Sequence, residues 1–297
     1  MPKTAKINEP GAGCLYVVAT PIGNLEDITL RALRILKEAD VIACEDTRQT
    51  MKLLAHFDIQ KRLVSYHEHN EITRAAEIVI DLEQGAKVAL VSDAGTPVVS
   101  DPGHHLVALC LRHGIQVVPV PGASAFVAAL AASGMPIEEF AFIGFLPSRP
   151  TERRKALRAL ASELRTIVLY EAPHRLLDTL EDALEVLGNR TAVVAREVTK
   201  LYEEFLRGRI ETVLEDVRKK APRGEITLLI GPPDAEALHV DAVASLAAAA
   251  AVPLARRVDE IAIERGVDKK AALKVAARER GLTRREAYKQ LLITRDE

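Results

Sequence analysis

Several polar clusters follow directly on short apolar runs: Glu45-Asp46-Thr47-Arg48 after residues 40–44, Ser92-Asp93 after 88–91, and Tyr170-Glu171-Ala172-Pro173-His174-Arg175 after 166–169. Arg196-Glu197-Val198-Thr199-Lys200 follows 192–195 in the same way, and residues 65–71 form a polar loop holding His67. Carboxylates, guanidinium groups and an imidazole offer proton transfer and the stabilisation of developing charge. Asp93-Ala94-Gly95-Thr96 adds two residues almost without side chains, which let a ligand approach the backbone closely. The same residues also suit an ordinary strand-to-helix connection. Asp101-Pro102 can cap and open the next helix, and Asp46 or Thr47 makes a good N-cap, so residue types alone leave both readings open.

The elements that must position these clusters follow from hydrophobic periodicity. Residues 14–19, 40–44, 88–91 and 115–120 are apolar runs of strand length, separated by amphipathic helical stretches. Regular alternation of this kind predicts a parallel α/β sheet, with the polar clusters at the strands' carboxyl ends where ligand crevices form. After a second small-residue loop, Pro121-Gly122-Ala123-Ser124-Ala125, strands at 140–147, 166–169, 192–195, 203–208 and 224–230 include neighbours joined without helices, which predicts a mixed sheet. The expected organisation is a loose tail over 1–13, an α/β domain over 14–121, a second α/β domain over 122–232, a linker over 233–253 and a helical module over 254–297. In that module Gly266 and Gly281 stop two helices, Asp268 caps the second, and Thr283-Arg284-Arg285-Glu286 is a capping box for the third.

Composition excludes several classes. The 297 residues are 48% apolar and 28% charged with net charge −2, and no apolar run reaches the roughly 20 residues that span a bilayer. Residues 1–13 lack the apolar core of a signal peptide, so a cytoplasmic protein is expected. Cys14, Cys44 and Cys110 sit in apolar segments as buried free thiols, and no Cys or His spacing suits a metal. There is no GxGxxG after the first strand and no GxxxxGK[ST] anywhere. Residues 254–297 hold 12 Lys and Arg against 8 Asp and Glu, whereas the rest of the chain holds 28 against 34; a basic appendage on an acidic body suggests a polyanionic partner. A surface-charged dimerisation or lid module is the alternative. Aromatic residues are 4% with no tryptophan, so base stacking contributes little, and Arg149, Arg153, Arg154 and the basic module are the candidate phosphate contacts. Residues 149–158 also read as a solvated helix face.

Six segments in order, Thr20-Pro21-Ile22-Gly23-Asn24-Leu25-Glu26-Asp27, Glu45-Asp46-Thr47-Arg48, the loop 92–103, Pro121-Gly122-Ala123-Ser124-Ala125, the Tyr170–Arg175 cluster and Arg196-Glu197-Val198-Thr199-Lys200, resemble the ribosomal RNA small-subunit methyltransferase I family of the tetrapyrrole methylase superfamily. The resemblance implies a two-domain tetrapyrrole-methylase-like fold and S-adenosylmethionine as methyl donor, with no metal. It further implies the ribose 2′-hydroxyl of a cytidine in the decoding region of 16S rRNA as acceptor, free or in the small ribosomal subunit, and a homodimer. Porphyrin-methylating relatives carry a glycine-rich first loop where this chain has Thr20 to Asp27, which argues against a tetrapyrrole substrate. On this resemblance Pro21, Asp93, Ala94, Gly95, Thr96, Ser124, Leu146, Tyr170, Glu225 and Ile226 are the expected donor-binding residues. Asp46, Arg48, His67, Glu171, Arg175 and Arg196 are the candidates for base, charge stabilisation and RNA grip. Two rivals are a methyltransferase of the same fold for a small molecule such as a porphyrinoid, and a non-enzymatic RNA-binding protein with a relic cleft.

Overall fold

The computed structural model describes residues 12–220, 222–234, 254–279 and 282–293. The expected tail and linker therefore lie mostly outside the described residues, as does Gly281. Two compact units divide between Pro232 and Pro233.

In the first half of the larger unit, strands β1 (Cys14–Val18), β2 (Val41–Cys44), β3 (Arg62–Ser65), β4 (Lys87–Val91) and β5 (Gln116–Val120) form one sheet in the order β3-β2-β4-β1-β5. Every pairing in it is parallel. Strand periodicity sends alternate residues to opposite faces. Val88 and Leu90 meet α3 (Glu71–Glu83) and α4 (His104–Arg112), while Ala89 and Val91 meet α1 (Leu30–Glu38) and α2 (Thr47–His56). Chain leaving β1 thus covers one face and chain leaving the adjacent β4 the other, so a crevice opens between their carboxyl ends. Thr20 and Gly95 pair there through N–H to carbonyl bonds of 2.8 and 3.1 Å.

Strand β3 was not legible as a strand: it is four residues at a sheet edge, with Arg62 exposed. Asp101-Pro102 does not cap α4. That helix starts after Gly103, whose φ of +139° no side-chain cap accompanies, and Asp101 turns elsewhere.

In the second half, β6 (Phe140–Phe145), β7 (Thr166–Glu171), β8 (Thr191–Arg196), β9 (Glu204–Arg209) and β10 (Ile226–Ile230) form a mixed sheet in the order β6-β7-β10-β8-β9. One face packs on α6 (Pro150–Ala159), α7 (Leu176–Leu187) and α8 (Ile210–Lys219). The other receives α5 (Ala125–Ser133) together with Ile22 from the loop after β1, so the two halves share one apolar cluster. Residues 149–158 are not simply a solvated face. Arg153 is 3% exposed and donates to Asp182 at 2.6 Å, and Arg154 donates to the same carboxylate at 2.6 Å. Arg153 is therefore a core ion-pair partner joining α6 to α7, and no phosphate reaches it.

The smaller unit contains α9 (Leu254–Arg265), α10 (Lys269–Glu279) and α11 (Arg284–Ile293) around Leu254, Val258, Ile261, Ala272 and Ala276. Asp268 accepts from Ala271 N–H at 2.7 Å, and Thr283 and Glu286 exchange the two bonds of a capping box at 2.8 and 3.4 Å. Among the described residues no helix is long and apolar enough to cross a membrane, and all three cysteines are free and buried.

Candidate functional site

The crevice at the ends of β1 and β4 is closed over by the second half into a cavity of about 360 Å³, within the range of small-ligand sites. The first half contributes Ile22, Asp93 to Thr96 and Val99 to Asp101; the second contributes Phe145, Tyr170 to Pro173, Val198 and Gly224 to Thr227, with Ser124 and Ala125 between them. Gly95 has φ +86°, and a Cβ there would lie 3.2 Å from Ile22 Cγ2, so glycine lets the loop turn tightly against the β1 loop. Thr96 Oγ1 then donates to the Ala123 carbonyl at 3.2 Å, tying this loop to the one that opens α5.

Backbone strain is concentrated at this cavity. Val98 (φ 76°) and Ser100 (φ 64°) are left-handed, as are Glu197 (φ 51°) and Thr199 (φ 70°), and two of the four are β-branched, for which that conformation is costly. In each pair the residue held between them, Val99 or Val198, lines the cavity. Glu197 is fixed in turn: its Oε1 accepts from Lys200 Nζ at 2.8 Å and from Glu225 N–H at 3.0 Å. The Lys200 hydrogen bond draws the Glu197 pKa down. Burial opposes the Lys200 charge, but the two glutamates outweigh it and its pKa rises.

Four carboxylates line the cavity, Asp93, Asp101, Glu171 and Glu225, and among the described lining residues there is no Lys, Arg or His. Asp101 is pushed up to about 6, first by burial and then by the charge of Glu45; the Ser92 hydroxyl opposes this, and Asp93 adds a lesser push upward. Burial also raises Glu45, helped by Asp93 and Glu68. Such a lining disfavours an anion and favours a cation with apolar parts. A donor carrying a sulfonium and an ammonium group fits it, with the backbone of Asp93 to Thr96 beside one end and Ile22, Val99, Val198 and Ile226 as apolar walls.

Of the residues expected to bind the donor, Asp93, Ala94, Gly95, Thr96, Ser124, Tyr170, Glu225 and Ile226 line the cavity. Pro21 is buried next to it, with its neighbour Ile22 in the lining. Leu146 points into the core under α6 and α7, and Phe145 takes the lining position.

Among the six candidates for chemistry and RNA grip, Glu171 alone reaches the lining. Asp46 is the N-cap of α2 and grips Arg48 at 3.0 and 2.7 Å, which holds its pKa down to about 2. Arg175 donates to the carbonyls of Leu146 and Pro147 at 2.8 and 3.1 Å and pairs with Glu171 at 3.4 Å. Arg196 pairs with Glu204 at 3.0 Å. His67 lies 3.3 Å from Asn70 Nδ2, outside the lining. Sequence reasoning missed Val99, Ser100, Asp101 and Val198 as lining residues; Asp101 was hidden because Asp-Pro before a helix looks like a cap.

A family model described as Tetrapyrrole (Corrin/Porphyrin) Methylases matches residues 14–214. Ribosomal RNA small subunit methyltransferase I of Halalkalibacterium halodurans is 50% identical over 278 residues, 93% of this chain and 93% of that protein. Its namesake in Thermotoga maritima is 52% identical over 218 residues, 73% of this chain and 98% of the relative. The solved structure of uroporphyrin-III C-methyl transferase from Thermus thermophilus complexed with S-adenyl homocysteine has the same fold, with TM-score 0.52 at 24% identity over 74% of this chain and 97% of that one. A sheet order, a cavity between two α/β halves and this degree of identity agree, and the chain belongs to the tetrapyrrole methylase family, among the ribosomal RNA small subunit methyltransferase I proteins.

Proposed function

We propose that this protein transfers a methyl group from S-adenosylmethionine to the ribose 2′-hydroxyl of a cytidine in the decoding region of 16S rRNA, acting in the cytoplasm as a homodimer. The observation that carries the reading is the cavity between the two halves, lined by four carboxylates and, among its described residues, by no basic side chain. The donor supplies an electrophilic methyl on a positively charged sulfur. What the chain contributes is alignment and exclusion of water, the two main demands of an in-line displacement. Repulsion from the same lining acts against a porphyrinoid acceptor bearing several carboxylates and keeps RNA phosphates outside. Exposed cations such as Arg48 and Arg149, whose side chains are 84% and 79% exposed, and those of the smaller unit are the phosphate contacts in this reading.

Incubation with labelled donor and either naked 16S rRNA or 30S particles, followed by mapping of the modified nucleotide, tests it. Label on a cytidine ribose is expected; label on a base, or no transfer to either substrate, refutes it. A relic cleft would give no heat on calorimetric titration with S-adenosylmethionine.

A further inference from the structure

We propose that Asp101 is the general base that takes the proton from the acceptor hydroxyl during methyl transfer, an inference that rests on the reading of the cavity as a methyl-donor site.

The four lining carboxylates differ in what already occupies them. Glu171 is buried and accepts from Ala172 N–H at 2.8 Å on one oxygen and Thr179 Oγ1 at 2.6 Å on the other, with the Arg175 guanidinium 3.4 Å away, so both oxygens are engaged. Asp93 accepts the backbone N–H of Asp46 at 3.0 Å, and Glu225 lies 3.3 Å from the Lys200 ammonium on a side chain 68% exposed. Asp101 has the Ser92 hydroxyl beside it, which lowers its pKa, and the charges that bear on it are Glu45 from the β2 loop and Asp93 from the β4 loop, both negative. Tyr170 of β7 faces it as a neutral phenol whose pKa burial raises. Among the described residues Asp101 is thus the lining carboxylate with neither a cation nor a backbone donor at its oxygens. Proton affinity near 6 matches a base at neutral pH, ionised yet still able to take a proton.

Its position is built. Left-handed Ser100 precedes it, and a Cβ on Gly144 of β6 would meet Ser100 Oγ at 3.0 Å, so the segment is wedged between the halves. A sugar hydroxyl is a poor nucleophile at neutral pH. As its proton passes to an Asp101 carboxylate oxygen, an oxygen–carbon bond forms to the sulfonium's methyl carbon and the carbon–sulfur bond breaks. The bonding pair stays on sulfur, which leaves as a neutral thioether, and the Asp101 carboxyl afterwards releases its proton to water.

The test compares full-length wild type, Asp101→Asn and Asp101→Glu on 30S particles. Calorimetry should show Asp101→Asn still binding S-adenosylmethionine, within about tenfold of wild type, since one lining carboxylate is neutralised and three remain to hold the cationic donor. Its kcat should fall on the order of 10²- to 10⁴-fold, the usual worth of a general base, and Asp101→Glu should recover part of the rate. Wild-type kcat/KM for the donor should rise with pH through about 6, and that limb should vanish in Asp101→Asn. A kcat retained within about threefold in Asp101→Asn, or donor affinity lost as far as the rate, overturns the proposal. Wild type that places no methyl on ribose overturns the functional reading and the base with it, an outcome distinct from an active wild type indifferent to Asp101→Asn.

Discussion

Lys200 of the second half lies across Gly23 of the first: a Cβ on Gly23 would sit 2.2 Å from Lys200 Cγ. The ammonium at the far end of the same side chain reaches Glu197 at 2.8 Å and Glu225 at 3.3 Å. The first loop of the chain is thereby pressed on the group that positions Glu225 at the cavity. Gly23→Ala must push the Lys200 stem aside, and because close-packed interiors transmit such shifts, donor affinity should fall by roughly 1 kcal/mol, or about fivefold. Calorimetric titration of the variant checks this, and Lys200→Ala should lower affinity in the same direction.

Gly224 offers a sharper version of the same test. Its φ is +87°, and a Cβ would lie 2.1 Å from Glu197 Oε1. Gly224→Ala should weaken donor binding as well as stability, whereas Gly188→Ala, at φ +76° with nothing within 4 Å, should lose only about 1 kcal/mol of stability from its backbone conformation. Urea titration and donor calorimetry on both variants separate the two.

Asp182 holds Arg153 in the core, their side chains 5% and 3% exposed. Asp182→Asn leaves a buried guanidinium without its countercharge and should cost about 3–5 kcal/mol in urea unfolding. Arg154→Ala, at a side chain 43% exposed, should change the midpoint far less. Burial pushes the Asp182 pKa up, but hydrogen bonds from Arg154 and Arg153 outweigh it and the folded value is lowered. A depressed folded pKa contributes stability that is complete above the unfolded carboxylate value, near 3.9, and is lost as pH falls through the folded one. Acid unfolding of wild type should show this loss below about pH 4, and Asp182→Asn should not.

Thr199 pays for the placement of Val198 with a left-handed backbone and a buried hydroxyl that has no hydrogen-bond partner among the described residues. Thr199→Gly should raise stability by about 1 kcal/mol and, by loosening Val198, weaken donor binding. A melting curve beside a donor titration would expose the opposite outcome at once.

RNA affinity carried by phosphate contacts should drop steeply between 50 and 200 mM salt, since each neutralised phosphate releases counterions. Arg256 and Lys269 of the smaller unit have side chains 76% exposed in pairs that contribute little to stability. Replacing both with Glu should flatten the salt dependence of RNA binding and leave the donor dissociation constant unchanged. Filter binding across a salt series reads the first, calorimetry the second.

Residue order alone made four of the five strands of the parallel half legible, because fully buried strands such as 88–91 are continuous apolar runs and their carboxyl-end loops carry small and polar residues, whereas the half-exposed edge strand β3 carries no such run. The capping box at Thr283 and the N-cap at Asp46 were legible for a similar reason: a cap is a contact between residues two or three apart. What each charged residue is for was not contained there. Asp46, Glu171 and Asp101 are all carboxylates at strand ends or in the loops beyond them, yet one is locked to Arg48, one is engaged by Thr179 and Ala172, and the charges that bear on the third are all negative. Arg153 looked like a surface cation until α7 brought Asp182 to it from 29 residues away. Proton affinity and accessibility depend on the groups that distant segments deliver within a few ångströms, and only the closing of the second half over the first settles which groups those are.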